Sequence, residues 1–207
     1  MIRKTSPCTE VASDFVERWS PRAFTPVELT ESHLRTLFEA ARWAPSAFNS
    51  QPWRFIFSRH GDARWDLFLS LLIPFNADWA KNTSLLCFVV SETRMDASDG
   101  SYTELGTHSY DAGAAWMQIA LQAMKLGYYA HGMSGIDRER VRKELNIPEK
   151  FSVDAAFAVG KIASPDILPE KLRKREAPSD RKSLEEICFV GEFGVSLETD
   201  ELTAASD

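Results

Sequence analysis

Two arginines, Arg18 and Arg22, lie four residues apart near the start of the chain, with Trp19 and the hydroxyl of Ser20 between them. Guanidinium groups bind phosphate through paired N–H donors, and a serine hydroxyl adds one more donor. The cluster has the chemistry to bind a phosphate-bearing molecule. Taken alone, it is explained more simply as a turn that carries solvated charges.

A second cluster occupies residues 44–53, where Asn49 and Gln51 follow Pro45 and the hydroxyl of Ser46. Proline fixes φ, so the loop is stiff. Each side-chain amide both donates and accepts hydrogen bonds, which suits a ligand edge rich in polar atoms. A turn that satisfies its own backbone is an equally good interpretation.

A third cluster contains Arg181 and Lys182, at the end of a basic, proline-punctuated segment that begins at residue 165. It could bring a further phosphate donor from far along the chain. Surface charge runs are more often simply solvated, and this alternative stays open.

Familiar catalytic motifs are missing from the sequence. There is no Walker loop, no Gly-x-Gly-x-x-Gly motif and no paired-histidine metal spacing. A Ser-His-Asp triad is possible, but no Gly-x-Ser-x-Gly elbow supports it. We interpret His131 as a core histidine, and we assign no catalytic residue and no metal ligand.

Helices must position these clusters, and the hydrophobic periodicity of the sequence predicts five helices. A helix capped by Thr30 ends before Pro45, and Asp111 is predicted to cap a broadly apolar helix that stops at Gly127. The other predicted helices cover about 10–17, 62–72 and 137–145.

Four strands are predicted over 53–58, 85–90, 128–134 and 153–160. The run 85–90 is continuously apolar, which is typical of a central strand covered on both faces. A polar stretch over 91–110 is predicted to be a long connection. Because helices and strands do not alternate regularly, the order favours an α+β sandwich.

The whole-chain composition limits the partners. The chain has 207 residues with 24 basic and 30 acidic side chains, giving a net charge of −6, which argues against nucleic acid. Its apolar runs are too short to span a bilayer, so we expect no membrane partner. Three scattered cysteines indicate a reducing, cytoplasmic compartment. We expect one domain over 1–190 and a flexible acidic tail over 191–207.

Taken in order, the motifs resemble the nitroreductase family of flavin mononucleotide (FMN) enzymes. The most specific are Arg-x-Ser-x-Arg-x-Phe at 18–24 and Ala-Pro-Ser-x-x-Asn-x-Gln-Pro-Trp at 44–53. The resemblance extends over about residues 15–187. It also uses the segments 111–113, 126–128, 132–135, 159–161 and 181–186.

The resemblance implies a three-layer nitroreductase-like sandwich with a mostly antiparallel central sheet flanked by helices. It also implies a single FMN-binding domain and a homodimer with flavin at the subunit interface. NADH or NADPH would supply hydride, and a nitroaromatic, a quinone or a similar small molecule would accept it. A flavin-binding or storage protein without turnover, a dehalogenase of the same fold, and a plain anion-binding module remain alternatives.

By resemblance, one group of residues would bind the FMN phosphate and ribityl chain, another would reach the flavin from the partner subunit, and a third would lie along the isoalloxazine. The first group is Arg18, Ser20, Arg22, Arg181 and Lys182. Trp19 is also assigned to the cofactor site, although many relatives carry arginine or another polar residue at this position. The second is Pro45, Ser46, Asn49 and Gln51. The third is Asn76, Met133, Ser134 and Gly135, of which Asn76 matches only loosely.

Overall fold

The computed structural model describes residue 7 and residues 10–196. Within this part of the chain, the α-helices are α1 (Ser13–Glu17), α2 (Glu31–Arg42), α3 (Trp65–Ser70), α4 (Pro74–Ala80), α5 (His108–Lys125), α6 (Arg138–Glu144) and α7 (Glu170–Arg173). The strands are β1 (Phe24–Thr25), β2 (Trp53–Arg59), β3 (Leu85–Glu92), β4 (Arg94–Asp96), β5 (Tyr102–Glu104), β6 (Tyr129–Met133) and β7 (Phe151–Ile162). Short 3₁₀ turns cover Ala47–Asn49 and Pro165–Ile167.

Five strands form one antiparallel sheet in which β7 is the shared element. Along one edge β7 pairs with β3, which in turn pairs with β2. Along its other edge β7 pairs first with β6 and then with β1. The remaining strands, β4 and β5, form a separate two-stranded hairpin.

Alternation along β3 divides the interior into two cores. Leu85, Cys87 and Val89 face α2 and α5, whereas Leu86 and Phe88 face the side of α3, α4 and α6. Successive side chains of a strand point to opposite faces, so an apolar run with helices on both sides is buried throughout. The expected three-layer α+β sandwich is therefore confirmed.

Local signals fix several helix ends as expected. The Thr30 side chain accepts a hydrogen bond from the backbone N–H of His33, and Asp137 accepts from Arg140 in the same way. Helix α5 ends before Gly127, whose φ of +73° lies in the left-handed region that favours glycine. Each of these predictions depended on residues within one turn of the boundary.

Two predictions about the middle of the chain are wrong. Helix α5 begins at His108 rather than after Asp111, because Asp111 is drawn into tertiary contacts. Its carboxylate accepts from the backbone N–H of Ala47 at 3.1 Å and from the Thr107 hydroxyl at 3.2 Å. The polar stretch 91–110 is not a plain connection, since it contains the β4–β5 hairpin.

The remaining differences are smaller. Helix α4 and strand β1 were not predicted, and α1 and α3 are shorter than expected. No helix within the described residues is long and apolar enough to cross a membrane. Residues 197–207 of the predicted acidic tail lie outside the described residues, and the domain boundary at 190 stays a prediction.

Candidate functional site

Arginines from both ends of the described chain meet around one cavity of about 350 Å³. Arg18 and Arg22 come from the segment between α1 and β1, and Arg175 and Arg181 from the segment after α7. The other lining residues are Trp19, Ser20, His131, Ala177 and Ser179. Four guanidinium groups around so small a volume form a site for a multiply charged anion. We call this volume the cationic cavity.

Beside the cationic cavity, Glu176 joins the segment after α7 to the segment between α1 and β1 through hydrogen bonds. It is only 5% exposed, and its Oε1 accepts hydrogen bonds from the backbone N–H groups of Arg22 and Ala23 at 2.6 and 2.7 Å. These bonds join residues more than 150 positions apart. They hold the C-terminal arginines against the N-terminal ones.

Burial gives Arg22 an unusual environment for a cation. Its Nε atom is buried and has no hydrogen-bond partner within the described residues, nor does Glu176 Oε2. Burial lowers the pKa of Arg22, Glu176 opposes that shift, and Arg175 adds to it. A buried donor without a partner costs free energy, which a bound anion would recover.

His131 lies in β6 and lines the same cavity as a neutral side chain. Its Nδ1 donates to the Pro21 carbonyl oxygen at 2.7 Å, and its ring lies 4.5 Å from that of Trp79 between centroids. Burial lowers the pKa of His131 to about 4, partly opposed by the hydrogen bond to Pro21. The sequence interpretation of His131 as a hydrogen-bonded core histidine agrees with these contacts, although it missed the place of His131 at the cavity wall.

A second, more apolar cavity of about 530 Å³ adjoins the first. Its walls come from β3, α5, β6 and β7, and include Gly113, Trp116, Gly132, Met133, Ser134, Ala156 and Phe157. The ring centroids of Trp116 and Phe157 lie 5.0 Å apart. A Cβ atom added at Gly132 would lie 3.1 Å from the Trp116 ring, so glycine lets this ring lie close against the strand. We call this volume the apolar cavity.

Arg18 and Ser20 line both cavities, so the two volumes form a continuous site. One end offers positive charge, and the other offers aromatic and small side chains with few polar groups. Ligand sites are commonly apolar pockets with a few well-placed polar atoms. This arrangement suits a ligand with an anionic end and a flat, largely apolar end.

The turn after β6 is held in place by hydrogen bonds from residues at the start of α4. Asn76 in α4 is buried, and its Nδ2 donates to the Gly135 carbonyl oxygen at 3.0 Å. The same oxygen accepts from the backbone N–H of Ile73 at 3.1 Å. Asn76 and Gly135 therefore position Met133 and Ser134 and do not themselves line either cavity.

The loop over 44–52 lines neither cavity of its own chain. Phe48, Asn49 and Gln51 all have positive φ, between 47° and 54°. Ser46 Oγ accepts from the backbone N–H of Gln51 at 2.9 Å, as in a turn that satisfies itself. Such strain in non-glycine residues often marks a functional segment.

The sequence-predicted residues thus separate into three groups. Arg18, Trp19, Ser20, Arg22, Arg181, Met133 and Ser134 line the continuous site. Asn76 and Gly135 support it, whereas Pro45, Ser46, Asn49, Gln51 and Lys182 line neither of its cavities. Sequence reasoning missed Arg175, His131, Gly113, Trp116 and Phe157. Trp116 was visible as part of a buried helix face, and Arg175 as part of the basic segment, but spacing alone does not show what they surround.

Another cavity, of about 390 Å³, lies between residues 26–29 and 59–62. It contains Arg59, but Arg59 is already paired with Glu31 at 3.6 Å and Asp62 at 3.7 Å. The carboxylates of Glu28 and Asp62 line the same space and would repel an anion. This cavity therefore lacks the excess of positive charge that the continuous site has.

Comparison with known proteins agrees with this geometry. The model of the nitroreductase family matches residues 16–97. A crystal structure described as an oxidoreductase containing FMN is 44% identical to this chain, with a TM-score of 0.90. The match covers 92% of this chain and 96% of that one.

Two relatives are similar in sequence over most of their lengths. An uncharacterized 15.4 kDa protein in the ask 5′ region of Mycolicibacterium smegmatis is 30% identical over 152 residues, which cover 70% of this chain and 99% of the relative. An NADH dehydrogenase of Thermus thermophilus is 27% identical over 187 residues, covering 77% of this chain and 90% of the relative.

Proposed function

The chain belongs to the nitroreductase family, and from this premise we propose that it is an FMN-dependent oxidoreductase that takes hydride from NADH or NADPH. The observation that carries the proposal is the continuous site, in which a cationic cavity and an apolar one lie side by side and share Arg18 and Ser20 as lining residues. FMN has a phosphate at one end and a flat ring system at the other. The two halves of the site match the two halves of this molecule.

The cationic cavity fits the phosphate. Arg18, Arg22, Arg175 and Arg181 would hold the dianion, with Ser20 and Ser179 adding hydroxyl donors. The unpartnered Nε of Arg22 supports this assignment, because a phosphate oxygen is the kind of acceptor it lacks. Because His131 is neutral, the positive charge of the cavity comes from the arginines.

The apolar cavity fits the ring system. Trp116, Met133 and Phe157 would exclude water from it, and Ser134 would offer polar contacts at its edge. When bound, FMN supplies the hydride chemistry itself, so the protein needs to bind, orient and desolvate it. This division of labour is consistent with the lack of a nucleophile motif in the sequence.

We propose further that the protein works as a homodimer. Trp43, Phe48 and Tyr110 are 71%, 89% and 81% exposed, and we call them the aromatic surface. The backbone N–H of Ala47 donates a hydrogen bond to the carboxylate of Asp111, the residue after Tyr110. The segments that carry the three aromatic residues are therefore in contact. Large exposed aromatic groups are typical of interfaces. A partner seated here would bring its own Ser46, Asn49 and Gln51 toward the flavin.

The electron acceptor is proposed to be a nitroaromatic, a quinone or a similar small molecule. The start of α5 and strand β7 supply polar groups to the site, where Ser109 and Asp154 line the apolar cavity. The NADH dehydrogenase of Thermus thermophilus supports a nicotinamide donor by similarity. We also propose a cytoplasmic location, and the free thiols of Cys87 and Cys188 are in keeping with a reducing compartment.

Anaerobic reduction tests the central proposal. The purified protein is expected to be yellow and to lose its flavin absorbance when NADH or NADPH is added without oxygen. Addition of menadione or a nitroaromatic should then restore the absorbance.

Each other outcome points to a specific alternative. A colourless protein that takes up no FMN contradicts the proposal. A yellow protein that neither nicotinamide reduces is a flavin-binding or storage protein without turnover. Release of halide from a halogenated substrate, in place of acceptor reduction, would indicate the dehalogenase alternative.

A further inference from the structure

A line of hydrogen bonds connects the apolar cavity to a separate cavity at the surface. Ser91 Oγ donates to Asp154 Oδ2 at 2.5 Å, and His108 Nδ1 lies 2.7 Å from the same Ser91 oxygen. Ser109 Oγ donates to the other carboxylate oxygen of Asp154 at 2.6 Å. With a proton on Nδ1 of His108, every donor in this line points toward Asp154.

The two ends of the line lie in different surroundings. Asp154 and Ser109 line the apolar cavity. His108 lines a cavity of about 280 Å³ formed by the β4–β5 hairpin, with Thr93, Arg94, Tyr102, Glu104, Leu105 and Gly106. Ser91, between them, is fully buried. Ser109 Oγ also lies 3.2 Å from His108 Nδ1, so Asp154 is connected to His108 both through the buried Ser91 hydroxyl and through the exposed Ser109 hydroxyl.

The carboxylate of Asp154 is bound by hydroxyl groups rather than by a cation. Within residues 10–196 it forms no salt bridge, and Arg138 donates to the backbone oxygens of Val153 and Asp154, not to the carboxylate. A hydroxyl can donate or accept, so it accommodates both the charged and the protonated carboxyl. This property distinguishes a carboxyl that exchanges protons from one that is fixed in an ion pair.

Other charges face the line from each side. Arg94 and Glu104 line the cavity of His108, and Arg18 lines the apolar cavity of Asp154. Arg138 approaches from α6, and Asp111 lies one turn along α5 from His108. Cations therefore face the Asp154 end of the line, whereas one cation and two carboxylates face the His108 end.

We propose that Asp154, Ser91 and His108 form a proton relay that protonates the electron acceptor in the apolar cavity. The proposal rests on the proposed function. When a quinone carbonyl accepts hydride, its oxygen is left with a negative charge that a proton must neutralise. Asp154 is the proton donor, and Ser91 and His108 act through it.

The relay conserves atoms and charge. The O–H bond of protonated Asp154 breaks as an O–H bond forms on the reduced acceptor. Asp154 then takes the Ser91 proton, Ser91 takes the Nδ1 proton of His108, and the imidazole regains a proton from water in the outer cavity, where hydroxide is left and carries the negative charge that the acceptor has lost. The relay itself is neither oxidised nor reduced, because the electrons reach the acceptor with the hydride.

Half-reactions measured by rapid mixing test the relay in the FMN-loaded protein. In Asp154→Asn the step that reduces menadione is expected to slow by roughly 100-fold, the scale of general acid catalysis. Reduction of the protein by NADH or NADPH should keep its wild-type rate. His108→Gln should slow the menadione step as well, and added imidazole should restore part of the rate.

Matched controls separate the relay from general damage. Ser58→Ala removes a buried sheet hydroxyl that has no partner within the described residues, for comparison with Ser91→Ala. His60→Gln removes an exposed histidine for comparison with His108→Gln. Neither control should alter the menadione step.

A readout without activity is available in the FMN-free protein. Nitrogen-15 NMR should detect a slowly exchanging His108 Nδ1–H proton, absent from His108→Gln and faster to exchange in Ser91→Ala. An Asp154→Asn variant with a wild-type menadione step overturns the relay, and so does equal slowing of both half-reactions without rescue by imidazole. A wild-type protein that neither nicotinamide reduces would instead refute the proposed function.

Discussion

Four arginines line the cationic cavity, of which Arg18 and Arg22 are half-buried and Arg175 and Arg181 are exposed. Arg181 is exposed, and its Nη1 donates to the Ser179 hydroxyl at 2.9 Å, so its removal should disturb the fold little. A hydrogen bond to a charged group contributes about 1.5–3 kcal/mol. This free energy corresponds to a loss of roughly 10- to 150-fold in affinity.

Arg181→Ala should therefore weaken FMN binding by that factor and leave riboflavin binding unchanged, since riboflavin lacks the phosphate. Fluorescence titration of the FMN-free protein measures both ligands. Lys171→Ala, which removes an exposed cation outside the cavity, is the matched control. Equal loss of FMN and riboflavin affinity would show that Arg181 does not contact the phosphate.

His131 makes the stability of the FMN-free protein depend on pH. Burial lowers its pKa from 6.5 to about 4. Between these values the unfolded chain binds a proton here and the folded chain does not, so the free energy of unfolding falls as the pH drops from about 6.5 to 4. The fall attributable to His131 should reach about 3 kcal/mol.

Urea unfolding at several pH values measures this effect. His131→Gln keeps a donor for the Pro21 carbonyl oxygen but cannot titrate, so its stability should decline less over the same interval. Parallel declines in the two proteins would mean that other groups control the acid sensitivity.

At the level of elements, one buried carboxylate holds the segment after α7 in position. Glu176 accepts two backbone hydrogen bonds from residues 22 and 23. Glu176→Ala should lower the free energy of unfolding by about 1–3 kcal/mol, because two buried donors lose their partner. It should also weaken FMN binding, since Arg175 and Arg181 would no longer be held near Arg18.

Urea unfolding and FMN titration test this prediction together. Glu170→Ala is the control, because Glu170 is an exposed glutamate in the same region that forms a surface ion pair with Lys174 one turn away. Wild-type stability in Glu176→Ala would contradict the role assigned to this carboxylate.

The elements also show how far sequence reasoning reaches. Thr30, Asp137 and the apolar run 85–90 were informative because their signals are local: a cap acts within one turn, and burial on both faces requires an apolar run. Asp111 misled the prediction because its carboxylate bonds to residue 47, far away in sequence. The β4–β5 hairpin escaped because both of its short strands are polar and mostly exposed.

The same distinction between local signals and tertiary contacts applies to the residues of the site. Arg18, Ser20 and Arg181 belong to recognisable motifs, and the structure brings them together around one cavity, while their contact with a ligand stays a prediction. Arg175, His131 and Trp116 carry no motif, and their roles arise only when β6, α5 and the segment after α7 converge. Convergence of this kind depends on tertiary packing, which residue spacing does not record.

On the scale of the whole molecule, the aromatic surface predicts assembly. Phe48 has φ of 54°, a left-handed conformation that is costly for a bulky side chain, and its ring is almost fully exposed. Phe48→Glu places a charge at the proposed interface and should shift the protein from dimer to monomer and release FMN.

Light scattering and FMN retention measure the two effects. Ile167→Glu adds the same charge at an exposed apolar residue outside the aromatic surface, and it should remain dimeric. A wild-type monomer that retains FMN at assay concentration would contradict both the dimer and the interface position of the flavin.

The joining of residues 18–22 to residues 175–181 has a consequence for biosynthesis. A ribosome-bound chain acquires Arg18 and Arg22, the first two arginines of the cationic cavity, early, but Arg175, Glu176 and Arg181 are translated only after the last strand of the sheet. A nascent or truncated chain that stops before Arg175 has half of the cationic donors and no carboxylate to join the two segments. Retention of the cofactor therefore reports that translation has passed residue 181, and a yellow colour marks a complete site.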